Sequence, residues 1–174
     1  MVQPGQYLER PVLIAADGVT LEGLFHRGDR PPAILLCAPI GAEGMDAPFL
    51  AEVAWVAARE RHASLRFQHR GRGASQGTAD PGRAVDDALC ALAHLRETSG
   101  PLVGVVGLRD GCATAAEVAR RAGLGRLVLV APGPDLSLPA EDGAHVILPD
   151  PSDPSFQKGL SRAAREAVAW MSRR

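Results

Sequence analysis

The sequence of 174 residues predicts an α/β fold: a mostly parallel sheet with helices on both faces. Short apolar runs, each suited to one buried strand, alternate with segments in which apolar residues recur at helical spacing. Strands separated by helices of about 12 residues pair in parallel through right-handed crossovers. An apolar content of 46% and the lack of an internal repeat indicate one domain over residues 1–174.

The first half of the chain predicts a hairpin, two strands and a helix. "PVLIAADGVTLEGLFHRG" contains two extended runs around Asp17-Gly18, a pair typical of a tight hairpin turn. "AILLCAP" at residues 33–39 predicts a strand buried on both faces, and Pro48 marks the start of a helix. "ASLRF" at residues 63–67 is the next strand, and it leads into the glycine-rich loop "QHRGRGASQG".

The second half alternates helix and strand. Helical spacing of apolar residues predicts a helix over residues 83–97, and "PLVGVVG" at 101–107 predicts a strand. A helix over 111–122 follows, closed by Gly123, and "RLVLVAP" at 126–132 predicts another strand. "AHVIL" is the expected last strand, before an amphipathic closing helix whose apolar side includes Phe156, Leu160, Ala164, Ala167, Val168 and Met171.

Composition argues against several classes of function. A net charge of −1 without a basic stripe makes nucleic acid an unexpected partner. No apolar run approaches the roughly 20 residues that span a bilayer, and "MVQPGQYLERPVL" lacks the order of a secretion signal. Cys37, Cys90 and Cys112 lie in apolar stretches without metal-ligand spacing. We therefore expect a cytoplasmic protein with reduced core thiols, no bound metal, no cofactor and no membrane contact.

Four stretches, in this order, resemble the α/β-hydrolase superfamily, in particular small esterases and serine-peptidase-like hydrolases. They are "DGVTLEGLFHRG", the strand and loop "ILLCAPIGAEGMDAP", the loop "LRFQHRGRGASQG", and the strand–turn–helix "VVGLRDGCATAAEVARR". The resemblance covers most of the chain and implies a hydrolase fold. It also implies a serine nucleophile in a Gly-x-Ser-x-Gly turn, followed along the chain by an acid and then a histidine.

The nucleophile position of that turn carries an arginine. Residues 107–111 read Gly-Leu-Arg-Asp-Gly, so Arg109 stands where the serine is expected, and a guanidinium is not a nucleophile. Asp110 lies one position too late to replace it, and we expect it in the first helical turn, stabilised there by about 0.3–1 kcal/mol. Cys112 is expected to pack against the sheet.

The histidine of the resembling families is also replaced. They place it just before the closing helix, where residues 152–156 read Ser-Asp-Pro-Ser-Phe, with Pro154 at the position of the histidine. His145 is the last histidine and precedes the core of the last strand. His69 is expected to be a hydrogen-bonding residue of the glycine-rich loop, and Ser75 is expected to pin that loop.

The acid has no clear counterpart either. Only about a dozen residues separate "LVLVAP" from "AHVIL", too few for a strand, a helix and two loops. The fold is therefore expected to be shortened near the C-terminus by one strand–helix unit. Asp135, Glu141 and Asp142 lie in the short connection. Asp150 or Asp153 would match the acid only if "AHVIL" were the penultimate strand.

The sequence thus predicts a catalytically inactive protein with a hydrolase fold that binds a small ligand or a protein. The alternative is an atypical, weak hydrolase with a non-serine site at the turn. A small anion or an acyl carboxylate would bind the Arg109 guanidinium. The candidate ligand-binding residues are Gly41, Ala42, Glu43, Gly44, Arg109 and Asp110. The competing interpretation is that Arg109 folds over the pocket and pairs with Glu43.

A missing strand and helix would also leave one sheet edge less covered. A homodimer or a partner protein that docks at this edge is therefore the second expectation. Trp55 lies off the apolar face of its helix and Trp170 lies beside the core stripe of the last helix. Either indole would mark such an interface if it were exposed.

Overall fold

A computed structural model describes residues 9–41, 43–136, 144–154 and 156–173, and these form one sheet flanked by helices. The strands are β1 Arg10–Ala16, β2 Val19–His26, β3 Arg30–Cys37, β4 His62–Phe67, β5 Val103–Leu108, β6 Leu127–Val130 and β7 Ala144–Ile147. The α-helices are α1 Pro48–Arg59, α2 Ala84–Ser99, α3 Gly111–Ala122 and α4 Leu160–Met171. Of the candidate residues, Ala42 lies outside the described residues, as do Glu141 and Asp142.

The sheet is mostly parallel, as predicted. Its strand order is β1-β2-β4-β3-β5-β6-β7. β1 and β2 form an antiparallel hairpin and β2 is antiparallel to β4, whereas all other pairs are parallel. The hairpin turn places Asp17 at φ 41° and Gly18 at φ 80°, the left-handed conformation that this residue pair favours.

The helices cover both faces of the sheet, which confirms the predicted α/β class. On one face α1 and α4 pack together against apolar side chains of β3, β5 and β6. On the other face α2 and α3 cover residues of β1, β3, β4 and β5. Successive side chains of a buried parallel strand point to opposite faces of the sheet, and here each face is covered by helices. Both sets of side chains are therefore buried, which is why these strands are apolar runs without a polar face.

Helix boundaries follow their local signals closely. α1 begins at Pro48 and α3 spans the predicted range, ending at Gly123 in the left-handed region at φ 63°. Phe156 differs from the prediction, since it is buried but precedes α4. The packed face of α2 also differs, because Val85 and Leu89 are only half-buried while small alanines such as Ala88 contact the sheet at close range.

The end of the described fold is short. After β6 the chain reaches β7 without a helix in the described residues of that connection, and α4 follows. α4 then packs on α1, which closes the first face. No helix among the described residues is long and apolar enough to cross a membrane.

Candidate functional site

The strand–turn–helix at residues 107–111 has the backbone of a tight elbow. It joins β5 to α3 at the edge where the parallel strands end, called here the carboxyl edge. Arg109 has φ 53°, a left-handed conformation that is uncommon for a residue with a side chain. A Cβ on Gly107 would lie 2.7 Å from the Cβ of Ala115, and one on Gly111 would lie 2.5 Å from the carbonyl oxygen of Ala38. The two glycines therefore allow the helix to start directly against the sheet.

The Arg109 side chain is paired with Glu43. The Nη1 group donates to Oε2 of Glu43 at 2.8 Å, across the gap between the elbow and the segment that precedes α1. The side chains are 44% and 48% exposed. The structure therefore contains the ion pair of the competing interpretation from the sequence.

A cavity of about 290 Å³ lies beneath this ion pair. Its floor is Leu108 at the end of β5, and its walls come from the start of α1 and from the segment leading into α4. Arg109, Glu43 and Gln157 supply its polar groups. The remaining lining residues are apolar: Ala47, Pro48, Phe49, Leu108, Phe156 and Leu160. The site is therefore a small apolar pocket with one guanidinium at its mouth.

Asp110 lies at the helix N-terminus, one residue before the first turn in which the sequence placed it. It occupies the N-cap position of α3 without a side-chain capping bond. Its Oδ1 instead accepts a hydrogen bond from the backbone N–H of Ile40 at 3.3 Å. Ile40 belongs to the loop between β3 and α1, which in serine hydrolases of this fold supplies one oxyanion-hole amide. The carboxylate thus occupies a backbone donor of that loop.

Cys112 packs against the sheet, as predicted. Its thiol is buried and donates to the carbonyl oxygens of Gly107 and Val130 at 3.3 and 3.4 Å. Burial raises the pKa of Cys112 to about 12, despite the opposing effect of the backbone contact with Val130. The thiol is therefore neutral near pH 7, and a neutral thiol is a poor nucleophile.

The two candidate glycines do not line the elbow cavity. Gly44 adopts φ 49° and packs against the side chain of Gln68, whose Oε1 lies 2.1 Å from where a Cβ would be. The same Oε1 accepts from the backbone N–H of Met45 at 3.2 Å. No atom lies within 4 Å of a Cβ placed on Gly41. Among the described candidates, Glu43 and Arg109 alone line the cavity.

The histidines with described contacts are engaged away from the elbow. His62 lies at the start of β4, where Nδ1 contacts the carbonyl oxygens of Arg30 and Pro32 and Nε2 contacts Oγ of Ser172 at 2.8 Å. His145 lies at the start of β7 and pairs with Glu166 at 2.8 Å. Both rings therefore sit at strand starts, opposite the carboxyl edge.

His69 contradicts the prediction of a hydrogen-bonding loop residue. Its ring is buried, and neither ring nitrogen has a hydrogen-bond partner among the described residues. Nδ1 lies 3.7 Å from Oδ2 of Asp87, and the ring packs edge-on against Phe67. The sequence could not reveal this, because Asp87 comes from α2 and its distance from the His69 ring depends on how α2 packs on the loop.

The glycine-rich loop at residues 68–77, called here the RG loop, is held by Asp87 of the neighbouring helix α2. The Asp87 carboxylate accepts from the backbone N–H, Nε and Nη2 of Arg70 at 3.0, 2.9 and 2.6 Å. Burial alone would raise the pKa of Asp87, but His69 and the bonds from Arg70 outweigh it and lower the pKa to about 2. Ser75 pins the loop as predicted, since its Oγ donates to the carbonyl oxygen of Gln68 at 2.9 Å.

The carboxylates that could have matched the acid serve the backbone. Asp153 accepts from the backbone N–H groups of Gln157, Lys158 and Gly159 at 2.7 to 2.8 Å, which fixes the turn before α4. Asp150 accepts from the backbone N–H and the hydroxyl of Ser152. Neither forms a described contact with a histidine. No group of three or more metal-ligating side chains occurs among the described residues.

Comparison with known proteins gives structural relatives alone: no family model and no curated protein matches the chain. An α/β serine hydrolase homologue from Coxiella burnetii superposes with a TM-score of 0.79 at 18% identity, over 94% of this chain and 99% of that one. A protein of unknown function from Agrobacterium tumefaciens, proposed to be an α/β hydrolase, gives 0.70 at 21% identity over 79% and 68%.

A serine hydrolase without a lid from Xanthomonas campestris gives a TM-score of 0.67 at 17% identity, over 84% of this chain and 72% of that one. Sequence identities of this size indicate a shared fold, but they do not indicate a shared activity. The strand order, the elbow backbone and these superpositions together show that this chain has the α/β-hydrolase fold.

Proposed function

We propose that this protein is a catalytically inactive α/β-hydrolase fold that binds a small acyl carboxylate at Arg109. The observation that carries the proposal is the guanidinium at the mouth of an apolar cavity, whose ion pair among the described residues is with the half-exposed Glu43. A cavity of about 290 Å³ is just below the roughly 300–1,000 Å³ usual for ligand pockets, which favours a short ligand.

The ion pair over the cavity is exchangeable. An exposed pair of this kind contributes about 0.2–1 kcal/mol, because both groups are well solvated when they separate. A ligand carboxylate can take the place of Glu43 on the guanidinium, whose fork suits a carboxylate. Its apolar chain then enters the pocket beside Phe49 and Phe156, and each buried methylene contributes about 0.8 kcal/mol. A ligand therefore buries apolar surface in the pocket, which the Glu43 side chain does not do when it pairs with Arg109.

Hydrolysis has no support from the residues at the elbow. The nucleophile position carries Arg109, the Cys112 thiol is neutral, and the Asp110 carboxylate is held by the amide of Ile40. Loss of a catalytic triad lowers turnover by about 10⁶-fold. The residual rate would not serve a metabolic role, whereas the pocket itself needs no nucleophile to bind an anion.

Calorimetric titration with acetate, butanoate and hexanoate tests the binding proposal. Affinity should rise by about fourfold per methylene until the cavity is filled. Arg109→Ala should abolish binding, and Glu43→Gln should strengthen it because it removes the internal competitor. Arg72→Ala is the matched control, since Arg72 is exposed and forms no ion pair among the described residues. Equal affinity of the wild type and Arg109→Ala would refute the proposal.

The atypical hydrolase is tested separately with p-nitrophenyl butyrate. We expect no release of p-nitrophenol above the rate with heat-denatured protein. Turnover that disappears in Asp110→Asn or Cys112→Ala would show a non-serine site and overturn the inactive assignment. Carboxylate binding could still be present in that case, so the two parts of the proposal can fail independently.

Self-association is a second candidate function, favoured by the edge of the sheet. Among the described residues β7 pairs with β6 alone, and Leu148 directly after it is 69% exposed. Two copies paired along β7 would cover both. Light scattering should then give the mass of a dimer, and Leu148→Lys should shift it towards the monomer. A monomer at high protein concentration would exclude this candidate.

A further inference from the structure

A second and larger cavity, of about 720 Å³, lies at the opposite edge of the sheet from the elbow. It is formed where β5, β6 and β7 begin and where α2, α3 and α4 end. Its volume is within the roughly 300–1,000 Å³ usual for small-molecule sites. The residues that matter are Arg96, Arg126, Arg173, Leu102, Leu124 and Trp170.

The cavity is strongly basic. Three arginines line it, and no aspartate or glutamate does. None of the three forms an ion pair with a carboxylate in the part of the chain that the structure describes. Eight other described arginines form such pairs and several exposed ones do not, so the cavity is distinguished by having three unpaired arginines around one space.

The carbonyl groups at the helix C-termini neutralise only part of this positive charge. Nη2 of Arg126 donates to the carbonyl oxygen of Arg173 at 2.8 Å, and Nη2 of Arg96 reaches that of Ala122 at 3.5 Å. Three helix C-termini contribute about −0.5 charge each at most, against three full positive charges from the arginines. Each guanidinium has about five N–H donors, so most donors are unused by these carbonyls.

One of the unused donors is buried. Nε of Arg96 is shielded from solvent and has no hydrogen-bond partner among the described residues. A buried donor without a partner is costly, by about 1–3 kcal/mol, and such groups usually contact a water or a ligand. Because Nε itself is not accessible from the cavity, a ligand there is expected to contact the terminal guanidinium nitrogens of Arg96.

We propose that this basic cavity binds a small molecule that carries a phosphate group and an apolar part. A phosphate monoester has a charge of about −1.5 to −2 near pH 7 and three terminal acceptor oxygens, enough to contact several guanidiniums at once. Leu102, Leu124 and Trp170 form the apolar wall for the remainder of the ligand. The site is separate from the elbow, so neither proposal depends on the other.

Titration with phenyl phosphate, followed by Trp170 fluorescence and by calorimetry at low salt, tests the proposal. The chain has two tryptophans, so Trp55→Phe in α1 leaves Trp170 as the single reporter. We expect saturable binding that is tighter than that of inorganic phosphate, because the ring adds apolar contact. Arg96→Gln and Arg126→Gln should each weaken binding by at least about tenfold, which is about 1.4 kcal/mol.

Arg165→Gln is the matched control, since Arg165 is an exposed residue of α4 outside the cavity; its affinity should stay within about twofold. Arg173→Gln is a third test variant at an exposed position, so it should fold and still weaken binding. Lack of saturable binding by the wild type would overturn the proposal. So would full affinity in all three cavity variants, equal loss in Arg165→Gln, or benzoate binding as tightly as phenyl phosphate.

Discussion

Two loops at the carboxyl edge each hold an arginine against a carboxylate, and they differ in solvent exposure. In the RG loop Nη2 of Arg70 lies 2.6 Å from Asp87, and the side chains are 12% and 0% exposed. At the elbow Nη1 of Arg109 lies 2.8 Å from Glu43, with both side chains nearly half exposed. A buried pair cannot lose one partner without stranding a charge, whereas water replaces either partner of an exposed pair. Burial thus makes one pair structural and leaves the other replaceable by a ligand.

The largest effect is expected from Asp87→Asn. The substitution keeps the shape of the side chain but removes the charge that Arg70 faces at a buried position. Stranding one member of a buried pair costs about 3–5 kcal/mol. We therefore expect the free energy of unfolding to fall by that amount, measured by urea denaturation followed by circular dichroism.

The neighbouring Asp86→Asn serves as its control. Asp86 lies one residue away on α2, is 38% exposed, and pairs with the partly exposed Arg83 at 3.0 Å and Arg121 at 3.8 Å. The same chemical change there should cost less than about 1 kcal/mol, because the pair is solvated. Similar losses in the two variants would mean that burial does not separate the two kinds of ion pair.

The sequence predicted the parts of this edge that depend on local pattern. The elbow glycines, the start of α3 and the pinning role of Ser75 follow from residue types within a few positions of each other. The resemblance to hydrolases also put Arg109 and Glu43 on two sides of one pocket, which is why their ion pair was among the interpretations.

The rest depends on contacts between distant segments. Asp110 lies at the start of α3 as expected, but its carboxylate accepts from the backbone N–H of Ile40, 70 residues away. His69 lies 3.7 Å from Asp87 of α2, beyond hydrogen-bonding distance, while the Asp87 carboxylate bonds to Arg70. The basic cavity combines arginines from the ends of separate elements, so no stretch of sequence contains its pattern.

An intermediate effect is expected from Gly111→Ala, which acts on the elbow backbone instead of its charge. The added methyl group would lie 2.5 Å from the carbonyl oxygen of Ala38, so α3 must move away from β3. Overpacking of this kind costs about 1–3 kcal/mol. Gly125→Ala is the control, because no atom lies within 4 Å of its Cβ position. Thermal unfolding should separate the variants, and equal midpoints would argue against a tightly packed elbow.

The smallest effect on stability is expected from Arg109→Gly. Glycine relieves the left-handed strain at φ 53°, which is about 1–2 kcal/mol for a residue with a side chain. The substitution also removes an exposed ion pair worth about 0.2–1 kcal/mol. Glycine in addition raises the conformational entropy of the unfolded chain, which destabilises the fold by about 0.4–1 kcal/mol. These contributions nearly cancel, so the free energy of unfolding should change by less than about 1 kcal/mol.

Carboxylate binding should nevertheless be lost in Arg109→Gly, because the pocket keeps its apolar walls and loses its cation. This combination distinguishes the elbow from the RG loop, where the same loss of an ion pair is expected to threaten the fold. A loss of stability close to that of Asp87→Asn would contradict the distinction. Arg109 and Glu43 would then hold the elbow together, as Arg70 and Asp87 hold the RG loop, and a ligand could displace Glu43 only by destabilising the protein.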